Sequence, residues 1–199
     1  EDYLEIRAEN QAVLPGFVDS HTHFIFGGYR EEEFSWRLRG DSYMSIMERG
    51  GGIVNTMKAT RESDFDTLWD RGEERLDELF SMGVTTVEGK SGYGLDLQTE
   101  LVQLRVMSDL NESHPMDVVS TFLGAHAVPP EFAGRTDDYV DYMIEEVLPV
   151  IRAEHTVTFC DVFCEKGVFS LEQSERLLRA ARHHRFKLKM HADEIVPFG

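Results

Sequence analysis

Five strand-like runs recur along this chain, and amphipathic stretches separate them. The runs are FVDSHTHF from Phe17, VTTVE from Val84, DVVSTFLGAH from Asp117, FCDVFCEKG from Phe159 and KLKMHADE from Lys187. The later runs follow one another at about 30 to 40 residues, room for a strand, a crossover helix and two short loops. That rhythm predicts an α/β fold with parallel strands. Between the runs, Phe65, Leu68, Trp69, Leu76 and Leu79 recur at i, i+3, i+4 spacing and predict a helix over 64–82, stopped at Gly83. A second helix is expected over 97–113. A third is lined by Tyr139, Val140, Met143, Val147 and Ile151, with Pro149 placed to end or kink it. Ser170 and Gln173 form a capping-box pair that opens a fourth.

Rhythm alone leaves two architectures, an open doubly wound sheet or part of an eight-stranded barrel. The run ends favour the barrel. The first ends in His21 and His23, and the second in Lys90 with Tyr93 just beyond. The third ends in His126, the fourth in Glu165 and Lys166, and the fifth in His191, Asp193 and Glu194. Parallel strands bring those ends to one rim, where barrel active sites lie. The long connection over 27–63 also points to function. It holds GGYREEEF, a short helical piece expected around Ser42 to Arg49, and Gly50, Gly51 and Gly52. No Lys-Ser/Thr follows those glycines at the spacing a phosphate-binding loop needs.

The two histidines of FVDSHTHF are the sharpest chemical signal. Successive side chains of a strand alternate between faces, so Asp19, His21 and His23 are expected on one face. Imidazoles at that spacing can reach one metal ion, whereas the bland reading is a polar strand face bonded within the core. Thirty-seven acidic residues against 20 basic ones leave a formal net charge of -17. That charge argues against nucleic acid or an anionic membrane as a partner. No apolar run approaches the roughly 18 residues of a membrane-spanning helix. Cys160 and Cys164 sit four residues apart in one expected strand, about 13 Å, too far for a disulfide. Reduced, buried thiols in a cytoplasmic protein are the simplest expectation.

The stretch PGFVDSHTH resembles the first-strand motif of the metal-dependent amidohydrolase superfamily. Taken with it, GGYREEEF, EGKSGYGLD, TFLGAHAVP, DVFCEKGVFS and MHADE are similar to the imidazolonepropionase family, over essentially the whole chain. The resemblance implies a partial (β/α)8 barrel. Residues 14–199 would carry strands one to five with their crossover helices, and residues 1–13 the tail of a small β domain. The last barrel strands and most of that domain would lie outside this chain, which is read as an internal piece with little activity alone. The resemblance further implies that His21, His23 and His191 bind one metal ion, zinc or iron, completed by an aspartate beyond Gly199. It puts substrate contacts on Arg30, Tyr93, His126 and Glu194, with Glu194 also moving a proton. The implied reaction is hydrolysis of 4-imidazolone-5-propanoate, an anionic small molecule, to N-formimidoyl-L-glutamate, in a parent protein expected to be a homodimer. Arg30 would supply a fork for the propionate. His126 and Tyr93 would bond the ring or the developing oxygen.

Each residue also has a structural reading. Arg30 beside Glu31, Glu32 and Glu33 fits a solvated charge, Tyr93 a turn aromatic, His126 a buried imidazole on backbone, and Glu194 a loop charge. Asp19 is expected to orient an imidazole, Glu165 and Lys166 to pair in a loop, and His155 to lie in a loop. Two further classes compete with the first: another amidohydrolase, such as a cytosine or guanine deaminase, and a non-catalytic barrel module. Arg30 discriminates, because an anionic tail needs a cation and a neutral base does not.

Overall fold

A computed structural model describes residues 4–41, 45, 51–154 and 156–198. The helical piece expected around 42–49, Ser45 apart, lies outside these residues, as do Gly50 and His155. Five strands run parallel and side by side in chain order: β1 (Phe17–Thr22), β2 (Val84–Lys90), β3 (Asp117–Ala125), β4 (Phe159–Cys164) and β5 (Lys187–Leu188). The order never reverses, so there is no switch point of a doubly wound sheet, and the strands curl as a half barrel. The fifth run is split. Lys187–Leu188 pairs with Phe159–Cys160, and a second short strand, β6 (His191–Ala192), pairs with Phe163–Cys164.

The helices fall where the periodicity puts them. After β1 come α1 (Glu31–Leu38), α2 (Ile53–Glu62) and α3 (Phe65–Ser81), the last capped by Asp64 and followed by Gly83 at φ +88°. Helix α4 (Leu97–Ser113) crosses from β2 to β3, and α7 (Leu171–His183) from β4 to β5, with the Ser170–Gln173 capping box formed. Between β3 and β4 the helical segment reads α5 (Thr136–Tyr142), a widened π turn over Met143–Val147, then α6 (Leu148–Ala153). Pro149 explains the widening: it has no N–H for the carbonyl one turn back, and its ring crowds that carbonyl. The helix therefore neither ends nor breaks there, because the looser turn absorbs the clash.

Strand alternation sorts the chemistry. Val87, Phe122, Cys160 and Val162 belong to the apolar layer beneath the helices. Their neighbours Glu88, Lys90, Thr121 and Asp161 take the opposite face, the barrel interior, and all four are buried. Cys160 and Cys164 are both buried and free, as expected. Gly72 on α3 lets that helix close on its neighbours, since a Cβ there would stand 2.4 Å from Ile25 Cδ1 and 2.8 Å from Leu110 Cδ1. Alanine is favoured over glycine in a helix by about 1 kcal/mol, while overpacking a tight core costs about 1 to 3 kcal/mol. Gly72→Ala is therefore expected to destabilise the protein by up to about 2 kcal/mol, read as a lower urea midpoint at unchanged slope. A raised midpoint would show that the interface has room.

Candidate functional site

The carboxyl ends of the strands form one rim, and a chain of rings runs across it. His21 and His191 meet edge to face at 4.5 Å between centroids, with their Nε2 atoms 2.9 Å apart. His23 lies 6.0 Å from His21 and stacks on His126 at 4.9 Å and 12°. Tyr93 packs on both His23 and His126, at 5.0 and 5.3 Å, and Phe26 meets Tyr93 at 6.0 Å. His21 and His191 thus converge from strands one and five, while His23 turns towards Tyr93 and His126. Local backbone gives the reason. Pairing of β1 with β2 is irregular between Asp19 and Thr22, and the strand stops at Thr22, so simple alternation does not reach His23. Among the described residues no group of three or more His, Cys, Asp or Glu side chains is gathered around one point.

Two imidazoles aimed at each other through Nε2 are nonetheless a suitable start for a metal site. Ligands at about 2.0 to 2.1 Å in a tetrahedron stand only a little over 3 Å apart. The Nδ1 of His23 is buried without a hydrogen-bond partner, an orphan that a small turn of the ring would relieve. Burial, then mutual repulsion with His191 and Lys90, lowers the pKa of His21. Burial and the neighbouring His126 lower that of His23 further. Both rings are therefore held towards the neutral form a metal requires. The donor set fits an ion such as zinc or iron.

Beneath these rings lies a buried ion cluster. Lys90 Nζ donates to Glu88 Oε1 and to Asp161 Oδ2, both at 2.8 Å. Lys189 Nζ pairs with the same Glu88 oxygen at 2.6 Å, and Thr121 donates to it at 2.5 Å. His191 Nδ1 stands 3.0 Å from Asp161 Oδ2. Burial alone would raise the pKa values of Glu88 and Asp161, but the bonds from the lysines, Thr121 and His191 outweigh it, and both are lowered. A cavity of about 440 Å³ opens over this cluster, lined by His21, His191, Lys189 and Glu194 among others.

A second cavity of about 380 Å³ is lined by Arg30, Tyr93, Phe26, Tyr29 and Thr56. Arg30 lies 3.7 Å from the buried carboxylate of Glu33, which itself accepts from the Gly52 N–H at 2.7 Å. Arg75 on α3 shapes this wall. Its guanidinium stacks 3.7 Å over Phe26 and donates to the Phe24 and Phe26 carbonyls. Tyr93 is presented by the SGYGLD loop, which wraps the fully buried Glu100: the N–H groups of Gly92, Gly94 and Leu95 all donate to that carboxylate.

Two sequence expectations need correction. Asp19 Oδ1 accepts from the His21 backbone N–H at 3.3 Å, and the carboxylate that reaches a rim imidazole is Asp161. Among the described residues Glu165 forms no ion pair with the Lys166 ammonium. It accepts from the backbone N–H groups of Lys166, Glu194 and Ile195, and so pins the loop that carries Glu194. Sequence reasoning passed over Asp161, Glu88 and Lys189. The usable signal was a charge in the middle of each apolar strand, an acid in FCDVFC and an acid closing VTTVE.

His126 Nδ1 lies 3.0 Å from the Gly92 carbonyl, an acceptor, so the proton sits on Nδ1 and Nε2 keeps a lone pair. Burial pushes its pKa down to about 4, against an ordinary 6.5. An unfolded chain takes up that proton near the ordinary value and the folded one does not. Stability is then full above about pH 6.5 and is lost as pH falls towards 4. The whole shift corresponds to about 3 kcal/mol. The His126 ring is expected to show no titration midpoint in its NMR shifts between pH 8 and 5; a midpoint near 6.5 would contradict the buried neutral ring.

No family model matches the chain. Over 201 aligned residues it is 61% identical to the imidazolonepropionase of Bacteroides thetaiotaomicron, which covers 100% of this chain and 48% of that protein. It is 58% identical over 200 residues to the imidazolonepropionase of Clostridium tetani, again 100% and 48%. The imidazolonepropionase of Streptococcus sanguinis is 51% identical over 191 residues, 96% of this chain and 45% of that one. The chain spans about half the length of the curated relatives it matches. Among solved structures, 5-methylcytosine deaminase from Klebsiella pneumoniae liganded with 5-fluorocytosine superposes with a TM-score of 0.63 at 14% identity, over 91% of this chain and 40% of that chain. At that identity the likeness concerns the fold.

Proposed function

We propose that this chain supplies the first five β/α units of an imidazolonepropionase, a metal-dependent hydrolase that opens 4-imidazolone-5-propanoate to N-formimidoyl-L-glutamate in histidine degradation, in the cytoplasm. The observation that carries the proposal is identity of 51–61% along nearly the entire chain with proteins of that name. His21, His23 and His191 would hold the metal ion, zinc or iron. When bound, such an ion lowers the pKa of water towards about 7 and polarises a carbonyl.

The remaining steps belong to this chain's own side chains. Arg30 binds the propionate as a forked donor at the far end of the Arg30–Tyr93 cavity. Tyr93 lines that cavity and its ring lies 5.0 Å from that of His23, which supports a role for its hydroxyl in bonding the lactam or its developing oxygen. Neutral His126, with its proton committed to Gly92, offers Nε2 as an acceptor for a ring N–H. This narrows its role: it holds the nitrogen side of the ring and does not donate to oxygen. Glu194, on the loop pinned by Glu165, would take up the proton released by the attacking water and pass it to the leaving nitrogen as the C–N bond breaks.

A deaminase acting on a neutral base, the other amidohydrolase class the sequence allows, is the second reading. Kinetics on the full-length protein that carries this chain separate the two. Arg30→Met removes a charge-assisted pair worth about 2 to 5 kcal/mol in a desolvated site. Efficiency on imidazolonepropanoate should fall by roughly 30-fold to several thousand-fold, since about 1.4 kcal/mol is tenfold. Most of the loss should appear in KM, because the propionate is remote from the reacting carbonyl. His21→Ala should lose metal and turnover together, and Glu194→Gln should keep the metal and lower kcat. If Arg30→Met stays within about twofold of wild type, a loss too small for such a pair, Arg30 is not the propionate clamp and the deaminase reading gains.

A further inference from the structure

The ion cluster under the rim has no part in the reaction as written above, yet it ends on a proposed metal ligand. Asp161 is 1% exposed and sits in the middle of β4. Its Oδ1 accepts from the Val162 N–H at 2.8 Å, which fixes the rotamer. Its Oδ2 faces both Lys90 Nζ, at 2.8 Å, and His191 Nδ1, at 3.0 Å. An ionised carboxylate only accepts, so the His191 proton must lie on Nδ1, and the lone pair is left on Nε2. That Nε2 is the atom 2.9 Å from His21 Nε2. His191 needs such an anchor, because its own strand is two residues long and pairs only with the end of β4.

We infer that Asp161, clamped by Lys90, is a positioning residue that fixes the tautomer and direction of His191, so that Nε2 is presented to the metal ion. Lys90 acts through Asp161. It holds Asp161 and Glu88 together from below, and Lys189 gives Glu88 its second cation. Two acids and two lysines balance, so the carboxylate can face an imidazole without attracting a further counterion. The inference rests on the reading of His191 as a ligand in the proposed hydrolase.

The test uses the full-length protein. In metal-free wild type, nitrogen-edited histidine NMR reads which ring nitrogen of His191 bears the proton, the signal being assigned by its loss in His191→Gln. The expected tautomer is Nδ1–H. Zinc affinity, measured by chelator competition, should fall about 10- to 100-fold in Asp161→Asn, the usual effect of losing a partner behind a ligand. The His191 signal should at the same time become a mixture of tautomers. The d–d spectrum of the cobalt-loaded variant should change, which a merely destabilised but correctly built site would not do. Asp161→Glu, which restores the charge, should recover part of the affinity. An Nε2–H tautomer in wild type overturns the inference with no variant needed, as does zinc affinity in Asp161→Asn within twofold of wild type. If wild type binds no zinc or iron, the ligand reading itself fails, and the tautomer measurement still decides whether Asp161 orients the ring.

Discussion

Lys90 is the charge on which the interior of this half barrel depends. It is 2% exposed and reaches two carboxylates on two other strand positions, Glu88 on its own strand and Asp161 on β4. Taking an ammonium out of water costs several kcal/mol per ion, and attraction offsets that only when geometry is good and every partner is satisfied. Here most positions are filled: Thr121 and Lys189 join Glu88, and Val162 and His191 join Asp161. Removing Lys90, Glu88 or Asp161 leaves a buried opposite charge short of its partner, so the cluster fixes β2, β4 and the split fifth strand in one relative position. The rim histidines inherit that position.

Above the cluster, function rests on loops, and each loop is held by a buried polar group acting on backbone. Glu100 gathers three N–H groups of the SGYGLD turn. Burial raises its pKa while those bonds lower it, and the net direction is upward. Glu165 does the same for the loop of Glu194, and Arg75 ties the carbonyls after β1. Substrate-facing residues are thus carried on short irregular segments, yet their directions are set by side chains inside regular elements. This satisfies the demand that buried N–H and C=O groups be paired and gives precise placement without extending the strands.

The β/α rhythm, the cap at Ser170 and the sequential parallel order were all legible in the sequence, because periodicity and capping residues report where helices and buried faces lie. The rim was legible too, since polar residues at strand ends have one place to go in a parallel sheet. Three features were not. The π turn before Pro149 is a local compromise between a missing N–H and a helix that packing keeps intact. The break between β5 and β6 depends on Lys189 reaching Glu88 across the interior, a contact between residues 101 positions apart in sequence. The role of Asp161 was hidden because a strand of alternating apolar and other residues reads as half-buried, with its charge towards solvent. In a closed barrel the second face is an interior, and the same alternation places the charge under the active rim.

The acidity of the protein poses a last electrostatic question, because a formal charge of -17 should repel the anionic substrate proposed above. Distance and screening answer it. At physiological salt the field of exposed carboxylates decays over about 8 Å, so the surface average matters less than the groups lining the cavity. In the cavity those groups are Arg30 and Glu31, with Glu33 3.7 Å from the guanidinium. Glu33 spends its other oxygen on the Gly52 N–H at 2.7 Å, and the 3.7 Å separation from Arg30 is longer than a hydrogen bond. The guanidinium is therefore oriented by Glu33 without being saturated by it, and keeps donors for a carboxylate arriving from the cavity. If Arg30 is the propionate clamp proposed above, an acidic protein would select an anion by this local geometry, whatever its overall sign.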